Sequence, residues 1–284
     1  MSSRADDRRA RFHALHERRQ VFVLPNPWDV GSARLLEALG FEALATTSAG
    51  LAWSLGRLDQ TVTREELVTH VAALAESVSL PLTVDSERCY PDEPGGVAET
   101  IALLADAGAA GCSIEDYDPV TGRIDDLATA TERVRTAAEA AHGLADPLVL
   151  TARAENHIRG RDDLDDTIER LVAYRDAGAD AVYAPGLREL DRIAAVVAAA
   201  DLPVNVLALA DGPTVGELGS VGVRRVSTGG ALARRAYASL AAAARELLET
   251  GSSAYAAEGA PAALFDAAFA TRANSAHASA PPAT

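Results

Sequence analysis

Cysteine, aromatic residues and positive charge are all scarce in this chain. Two cysteines, Cys89 and Cys112, in 284 residues cannot form a disulfide framework and lack zinc-ligand spacing. Aromatic residues make up only 5%, whereas apolar residues reach 48%, so a sizeable core must be built from Ala, Leu and Val. A net charge of −15 argues against nucleic acid, whose phosphates demand a basic surface, and against anionic membranes. The opening MSSRADDRRARFHALHERR has no apolar segment of the secretory type, and no uninterrupted apolar run reaches membrane-spanning length. A soluble, cytoplasmic protein is the expectation. No G-x-G-x-x-G follows the first apolar run, which counts against a dinucleotide-binding open sheet.

What is present is a regular alternation. Short apolar runs at Val21–Pro25, Ala43–Thr47, Leu82–Asp85, Gly111–Glu115, Leu148–Ala152, Ala181–Ala184, Val204–Leu207 and Arg225–Ser227 read as eight strands. Longer helical patterns separate them. Thr63-Arg-Glu-Glu opens one helix as a capping box, and Gly108 and Gly178 end two others. Eight βα units in succession predict a closed (β/α)8 barrel, since right-handed parallel crossovers let the sheet close on itself. The expected organisation is a barrel with an amphipathic N-terminal helix over residues 1–250, a C-terminal helical extension over 251–272 and a disordered tail over 273–284. A long Ala-rich helix spans Ala231–Thr250, and the extension includes a short helix at 261–271.

Catalytic groups of such barrels sit at the carboxyl ends of the strands. Read in order, those ends offer Asn26 and Asp29; Ser48, Ala49 and Gly50; Asp85 and Glu87; Glu115 and Asp116; Arg153, Glu155 and Asn156; Pro185 and Gly186; Asn205; and Ser227 to Gly230. Asp85 and Glu87, two apart, project to the same face. With Asp59 from the loop after the second strand and Glu115, they form an acidic ring that suits a hard divalent cation, most simply Mg²⁺. Arg153 is placed to pair with a substrate carboxylate or, equally, to neutralise Glu115 or Glu155 inside the protein. Ser48 with the amides of Ala49 and Gly50 could hold a second anionic group.

LPNPWDVGSARLLEALGFEALATTSAG, the L-G-x-x-D ending at Asp59, VDSERCY, Ile114-Glu-Asp116 and Thr151-Ala-Arg153 occur in this order, and here the chain resembles the isocitrate lyase/phosphoenolpyruvate mutase superfamily over roughly residues 20–250. The resemblance implies direct ligation of Mg²⁺ by Asp85, with Mn²⁺ as a substitute, and ligation through water by Asp59, Glu87 and Glu115. It implies that Ser48, Ala49, Gly50, Arg153 and Asn205 hold a 2-oxo or 2-hydroxy acid, with Arg153, Glu115 and Asp59 as catalytic groups. The activity implied is carbon–carbon lysis or decarboxylation through an enolate. It also implies a homodimer or homotetramer that exchanges its last barrel helix. One departure stands out. Family lyases carry Lys, Cys, Gly and His in the loop after the fourth strand, but here that loop is Tyr117-Asp-Pro-Val-Thr-Gly-Arg-Ile-Asp125. Cys89 and His157 are then the candidate proton donors, each with a plain structural reading beside it. Three other functions stay open: a phosphonopyruvate-type C–P bond enzyme, a 2-oxo acid-binding barrel without turnover, and a phosphate-binding barrel using Asp211-Gly212 and Thr228-Gly229-Gly230.

Overall fold

The computed structural model describes residues 4–270. Its strands are β1 (Phe22–Leu24), β2 (Leu44–Ala45), β3 (Leu82–Asp85), β4 (Gly111–Glu115), β5 (Tyr117–Asp118), β6 (Arg123–Ile124), β7 (Val149–Arg153), β8 (Ala181–Tyr183), β9 (Val204–Leu207) and β10 (Arg225–Ser227). Eight of them form one parallel sheet in the order β1-β10-β9-β8-β7-β4-β3-β2, while β5 and β6 pair as a small antiparallel hairpin. The seam between β1 and β2 is bridged by the Ala45 amide on Pro25 O at 3.1 Å. The sheet is therefore a nearly closed barrel, as expected. The strands are continuous apolar runs because parallel strands are covered on both faces: Leu82, Val84, Cys112, Ile114, Leu150, Ala152 and Val182 are all fully buried.

The helices are α1 (Arg4–Glu17), α2 (Val30–Ala38), α3 (Ser48–Ser54), α4 (Arg64–Ser77), α5 (Gly96–Asp106), α6 (Leu127–His142), α7 (Leu164–Asp176), α8 (Leu190–Ala200), α9 (Val215–Ser220), α10 (Ala231–Thr250) and α11 (Ala262–Phe269), with a 3₁₀ turn at Ala254–Glu258. The Thr63 capping box is present. Gly108 and Gly178 take positive φ just past their helices, where a side chain would be strained. Helix α7 starts at Leu164 because Asp163 caps it by accepting from the Asp166 amide. Residues 271–284, which include the tail expected to be disordered, lie outside the described residues.

Helix α1 plugs the amino-terminal end of the barrel. Phe12 is fully buried, and a Cβ on Gly111 would meet its ring at 2.8 Å, so the glycine makes room for the plug. His16 lies edge-on to Phe12 and Phe22. One ring nitrogen bonds Phe12 O at 2.8 Å and the other lies 3.1 Å from Arg225 Nη1, so Nε2 accepts from the guanidinium. Burial first, then the Arg225 charge, lowers the His16 pKa from 6.5 to about 3. The unfolded chain takes up this proton near pH 6.5 and the folded chain resists it. Stability is therefore complete above that pH and is lost as pH falls toward 3, at up to about 1.4 kcal/mol per pH unit. We expect the melting temperature of His16→Gln, whose amide oxygen can still accept from Arg225, to fall less steeply between pH 7 and pH 4 than that of wild type. Equal slopes would contradict this.

Asn26, just past β1, closes the barrel seam. Its Oδ1 accepts from the amides of Thr228 (2.8 Å) and Gly229 (2.9 Å), and its Nδ2 donates to Thr46 O at 2.7 Å. Removing a buried side chain that satisfies three backbone groups strands all of them. Asn26→Ala should cost about 2–4 kcal/mol, read as a lowered urea midpoint.

At the carboxyl end, α10 buries Ala233 alone and leaves Leu240 and Leu248 in solvent. Helix α11 returns to its own chain: Arg34 of α2 donates to Ala270 O at 2.8 Å and lies over the Phe269 ring.

Candidate active site

The carboxyl ends of the strands open into a cavity of about 350 Å³. Asp85 ends β3 on its wall. Its Oδ1 accepts from Arg153 Nη1 at 2.6 Å, and its Oδ2 accepts from the Ser48 amide and hydroxyl, each at 3.0 Å. The Asp85 amide donates to Thr46 Oγ1, so both ends of the residue are tied to the segment after β2. Asp59 also lines the cavity; burial, then the neighbouring Asp85 charge, pushes its pKa up.

Glu87 and Glu115 stand behind this pair. Glu87 Oε1 is buried without a hydrogen-bond partner, and burial followed by Asp85 and Asp59 pushes the carboxyl up to about 8. Glu115, buried at the end of β4, receives Gln60 Nε2 on Oε1 at 3.0 Å and faces Arg153 Nη2 through Oε2 at 3.0 Å. Burial raises its pKa well above the usual range, against the pull of Arg153. Arg153 Nη2 also lies 2.9 Å from Glu155, and the guanidinium sits 5.4 Å from the centre of the Tyr183 ring. Both sequence readings of Arg153 are thus relevant: it bridges three acids internally and still lines the cavity.

Among the described residues, no three His, Cys, Asp or Glu side chains converge as a close set of metal ligands. The residues that could hold a hard cation are Asp85 on the cavity wall, in place of its present bonds to Arg153 or Ser48, with Asp59, Glu87 and Glu115 reached through water, since Mg²⁺ keeps several waters. Glu87 keeps a buried carboxylate oxygen without a hydrogen-bond partner, and burial first, then neighbouring carboxylates, raises the pKa values of Asp59, Glu87 and Glu115.

Ser48, Ala49 and Gly50 form the first turn of α3. Ser48 and Ala49 line the cavity. The Gly50 amide instead meets its own cap, Thr47 Oγ1, at 3.2 Å, and a Cβ there would come within 2.9 Å of Trp28 Cβ. Asn205 reaches the cavity with a fixed amide: Oδ1 accepts from Arg225 Nε at 3.0 Å and Nδ2 donates to Ser227 Oγ at 2.9 Å. Asp116 turns away from the cavity and ties β4 to α7 through Tyr174 (2.7 Å) and Arg170 (3.1 Å).

Neither proposed sulfur nor imidazole donor lines the cavity. The Cys89 thiol is fully buried against Ser86 and Ser113 O, and burial pushes it up to about 12. His157 packs between Thr167 and Asp162. Tyr183 was not singled out by the sequence pattern, yet it lines the cavity, and burial pushes its phenol up to about 12, so it stays protonated.

The loop after β4 is the β5–β6 hairpin, and it is fastened down. Arg88 reaches Asp118 at 3.1 Å and Asp125 at 3.5 Å, Arg133 also pairs with Asp125, and Arg159 stacks 3.5 Å over the Tyr117 ring. The chain contains no lysine at all, so no lysine can act in this loop.

Comparison with known proteins gives a consistent picture. The family model described as phosphoenolpyruvate phosphomutase matches residues 12–248. The crystal structure of a candidate lyase/mutase from Burkholderia cenocepacia J2315 superposes with a TM-score of 0.91 at 46% identity, covering 95% of this chain and 98% of that one. Oxaloacetate acetylhydrolase in complex with the product oxalate gives 0.84 at 27% identity, covering 96% and 98%. Oxaloacetate decarboxylase of Bradyrhizobium sp. is 30% identical over 233 residues, 78% of this chain and 76% of its own length.

Proposed function

Because the chain belongs to the phosphoenolpyruvate phosphomutase family, whose members are lyases and mutases of small carboxylic acids, we propose that it is a Mg²⁺-dependent carbon–carbon lyase or decarboxylase of a small 2-oxo or 2-hydroxy (di)carboxylic acid. The observation that carries this reading is Asp85, held by Arg153 and Ser48 on the cavity wall and faced by Asp59 with Glu87 and Glu115 behind. When bound there, the divalent ion supplies positive charge against the oxyanion that develops as the carbon–carbon bond breaks.

The chain's own groups do the rest. Nη1 of Arg153, the nitrogen directed at Asp85 on the cavity wall, turns to the substrate carboxylate while Nε and Nη2 stay fixed by Glu155 and Glu115. Ser48 and Ala49 line the same end, and Asn205 presents an amide whose orientation Arg225 and Ser227 determine. The enolate product takes its proton from water or from a wall hydroxyl such as that of Tyr183, because Cys89 and His157 lie off the cavity. The fastened hairpin, which does not line the cavity, supports a loop that stays in place instead of one that closes.

The exposed apolar side chains of α10, Leu240, Leu247 and Leu248, support a homodimer or homotetramer in which this helix is exchanged. A cytoplasmic enzyme is the matching location; among the described residues no helix is long and apolar enough to cross a membrane. The same fastened hairpin favours, as the second reading, a barrel that binds a 2-oxo acid without turning it over. A C–P bond enzyme is less well served, since a phosphonate dianion calls for more positive charge than the Arg153 end carries.

The test is turnover of a panel comprising oxaloacetate, 2-alkylmalates, isocitrates and phosphonopyruvate, each with and without Mg²⁺. Cleavage of a carbon–carbon bond only with the metal is the expected result. Thermal stabilisation by these acids with no turnover would favour the binding barrel.

A further inference from the structure

A chain of hydrogen bonds with a fixed direction crosses the floor of the cavity. His16 Nδ1 donates to Phe12 O at 2.8 Å, which leaves Nε2 to accept from Arg225 Nη1 at 3.1 Å. An arginine only donates, so Asn205 Oδ1 is the acceptor of Arg225 Nε at 3.0 Å. That orients the Asn205 amide, whose Nδ2 donates to Ser227 Oγ at 2.9 Å. Ser227 in turn donates its own hydrogen to the Tyr183 phenol oxygen. Burial pushes this phenol up to about 12, and Arg153 and then Ser227 pull against it. The phenol oxygen is thus the last acceptor of the chain, and its own hydrogen is left for the cavity that Tyr183 lines.

Tyr183 is also held in place at the substrate end. It ends β8 in register with Arg153 at the end of β7, and its ring centre lies 5.4 Å from the Arg153 guanidinium. A 2-oxo acid held by its carboxylate at Arg153 therefore brings C3, two bonds away, alongside this ring. Few other groups on the wall can give up a proton. Among the described residues that line the cavity there is no histidine, cysteine, lysine or glutamate. Asp59 and Asp85 belong to the metal end, and the arginines stay protonated. The hydroxyls of Ser48, Thr47 and Thr228 are aliphatic alcohols, far weaker acids than a phenol.

We infer that Tyr183 is the catalytic acid, protonating C3 of the enolate that carbon–carbon bond cleavage leaves behind. This rests on the 2-oxo acid reading of the Arg153 end proposed above. In the step, the phenolic O–H bond breaks and the electron pair of the enolate C2–C3 double bond forms the new C3–H bond. The C2 oxyanion becomes the carbonyl of the product. The phenolate, still hydrogen-bonded by Ser227, then takes a proton from water entering the cavity. A donor built into β8 needs no closing loop, which agrees with the fastened β5–β6 hairpin.

Solvent exchange tests this, because the group that protonates C3 of the enolate also removes a C3 proton from the product in reverse. Intact protein with Mg²⁺ in D₂O is given pyruvate or 2-oxobutyrate, and loss of the C3 proton signal is followed by NMR. Oxalate binding is measured in parallel by calorimetry. Wild type should bind oxalate and exchange the C3 protons of one or both acids faster than Mg²⁺ alone does. Tyr183→Phe keeps the ring beside Arg153, so it should bind oxalate within about tenfold of wild type. Its exchange should be at least about a hundredfold slower. Wild type that binds oxalate but exchanges neither acid, or Tyr183→Phe that exchanges at the wild-type rate, overturns the role of Tyr183 and spares the site. Tyr183→Phe that loses oxalate binding as well makes the hydroxyl a structural group and overturns that role too. Failure of wild type to bind even oxalate removes the reading on which this one stands, and this one with it.

Discussion

Replacing Asp85 with Ala should lower kcat/KM on any substrate found by at least about a thousandfold, since it removes the carboxylate proposed to ligate the metal and releases Arg153 and Ser48 together. The variant should still fold. Asp85 is partly exposed, and Arg153 keeps Glu115 and Glu155 as partners when it is gone. The accompanying readout is thermal: Mg²⁺ should raise the melting temperature of wild type and not of Asp85→Ala. A variant that keeps its rate, or keeps its stabilisation by Mg²⁺, places the ion elsewhere.

Arg153→Met is expected to do the opposite kind of damage, to the fold first. Arg153 is the shared partner of Asp85, Glu115 and Glu155, and the two glutamates are almost fully buried. Removing one side of a buried ion pair leaves uncompensated charge and costs about 3–5 kcal/mol. The pH dependence identifies the cause. In wild type, burial already raises the folded pKa values of Glu115 and Glu155, and Arg153 holds them down. Without the arginine they rise further. A carboxyl with a raised folded pKa contributes stability below its unfolded pKa, and that contribution is lost as pH climbs through the folded value. The variant's deficit relative to wild type should therefore shrink as pH is lowered from 8 to 5, seen in urea midpoints across that range. A constant deficit would point to lost packing instead.

These two residues show how far the sequence reaches. The strands were legible because burial on both faces makes each an uninterrupted apolar run, and the helices because glycines and capping boxes punctuate them. The acids at the strand ends were legible for a related reason: barrel closure in chain order makes β2, β3 and β4 neighbours, so Asp85 and Glu115 must meet. Other features depend on contacts that no local pattern records. Thr-Ser-Ala-Gly reads as a loop until Thr47 is seen capping α3. Arg153 gave two even readings because its ion pairs come from three strand ends and loops. Cys89 and His157 were candidates by position alone, and packing turns both away from the cavity. Tyr183, which lines the cavity, had no signal at all, because it lies in an ordinary apolar run.

The hairpin after β4 shows the same divide between local pattern and contact. Its composition excludes the lyase-type Lys, Cys and His, which the sequence alone establishes. That it is held rigidly follows only from Arg88, Arg133 and Arg159 reaching it from three other parts of the chain.

The central claim is that one divalent ion sits at Asp85 with Asp59, Glu87 and Glu115 around it. Its most direct test is a crystal grown with Mn²⁺ and oxalate, located by anomalous scattering. The account predicts a single peak at roughly 2.0–2.3 Å from an Asp85 carboxylate oxygen, the distance expected for a hard divalent cation on oxygen, with waters linking it to the other three acids. No peak in the cavity, or one coordinated away from Asp85, would contradict it.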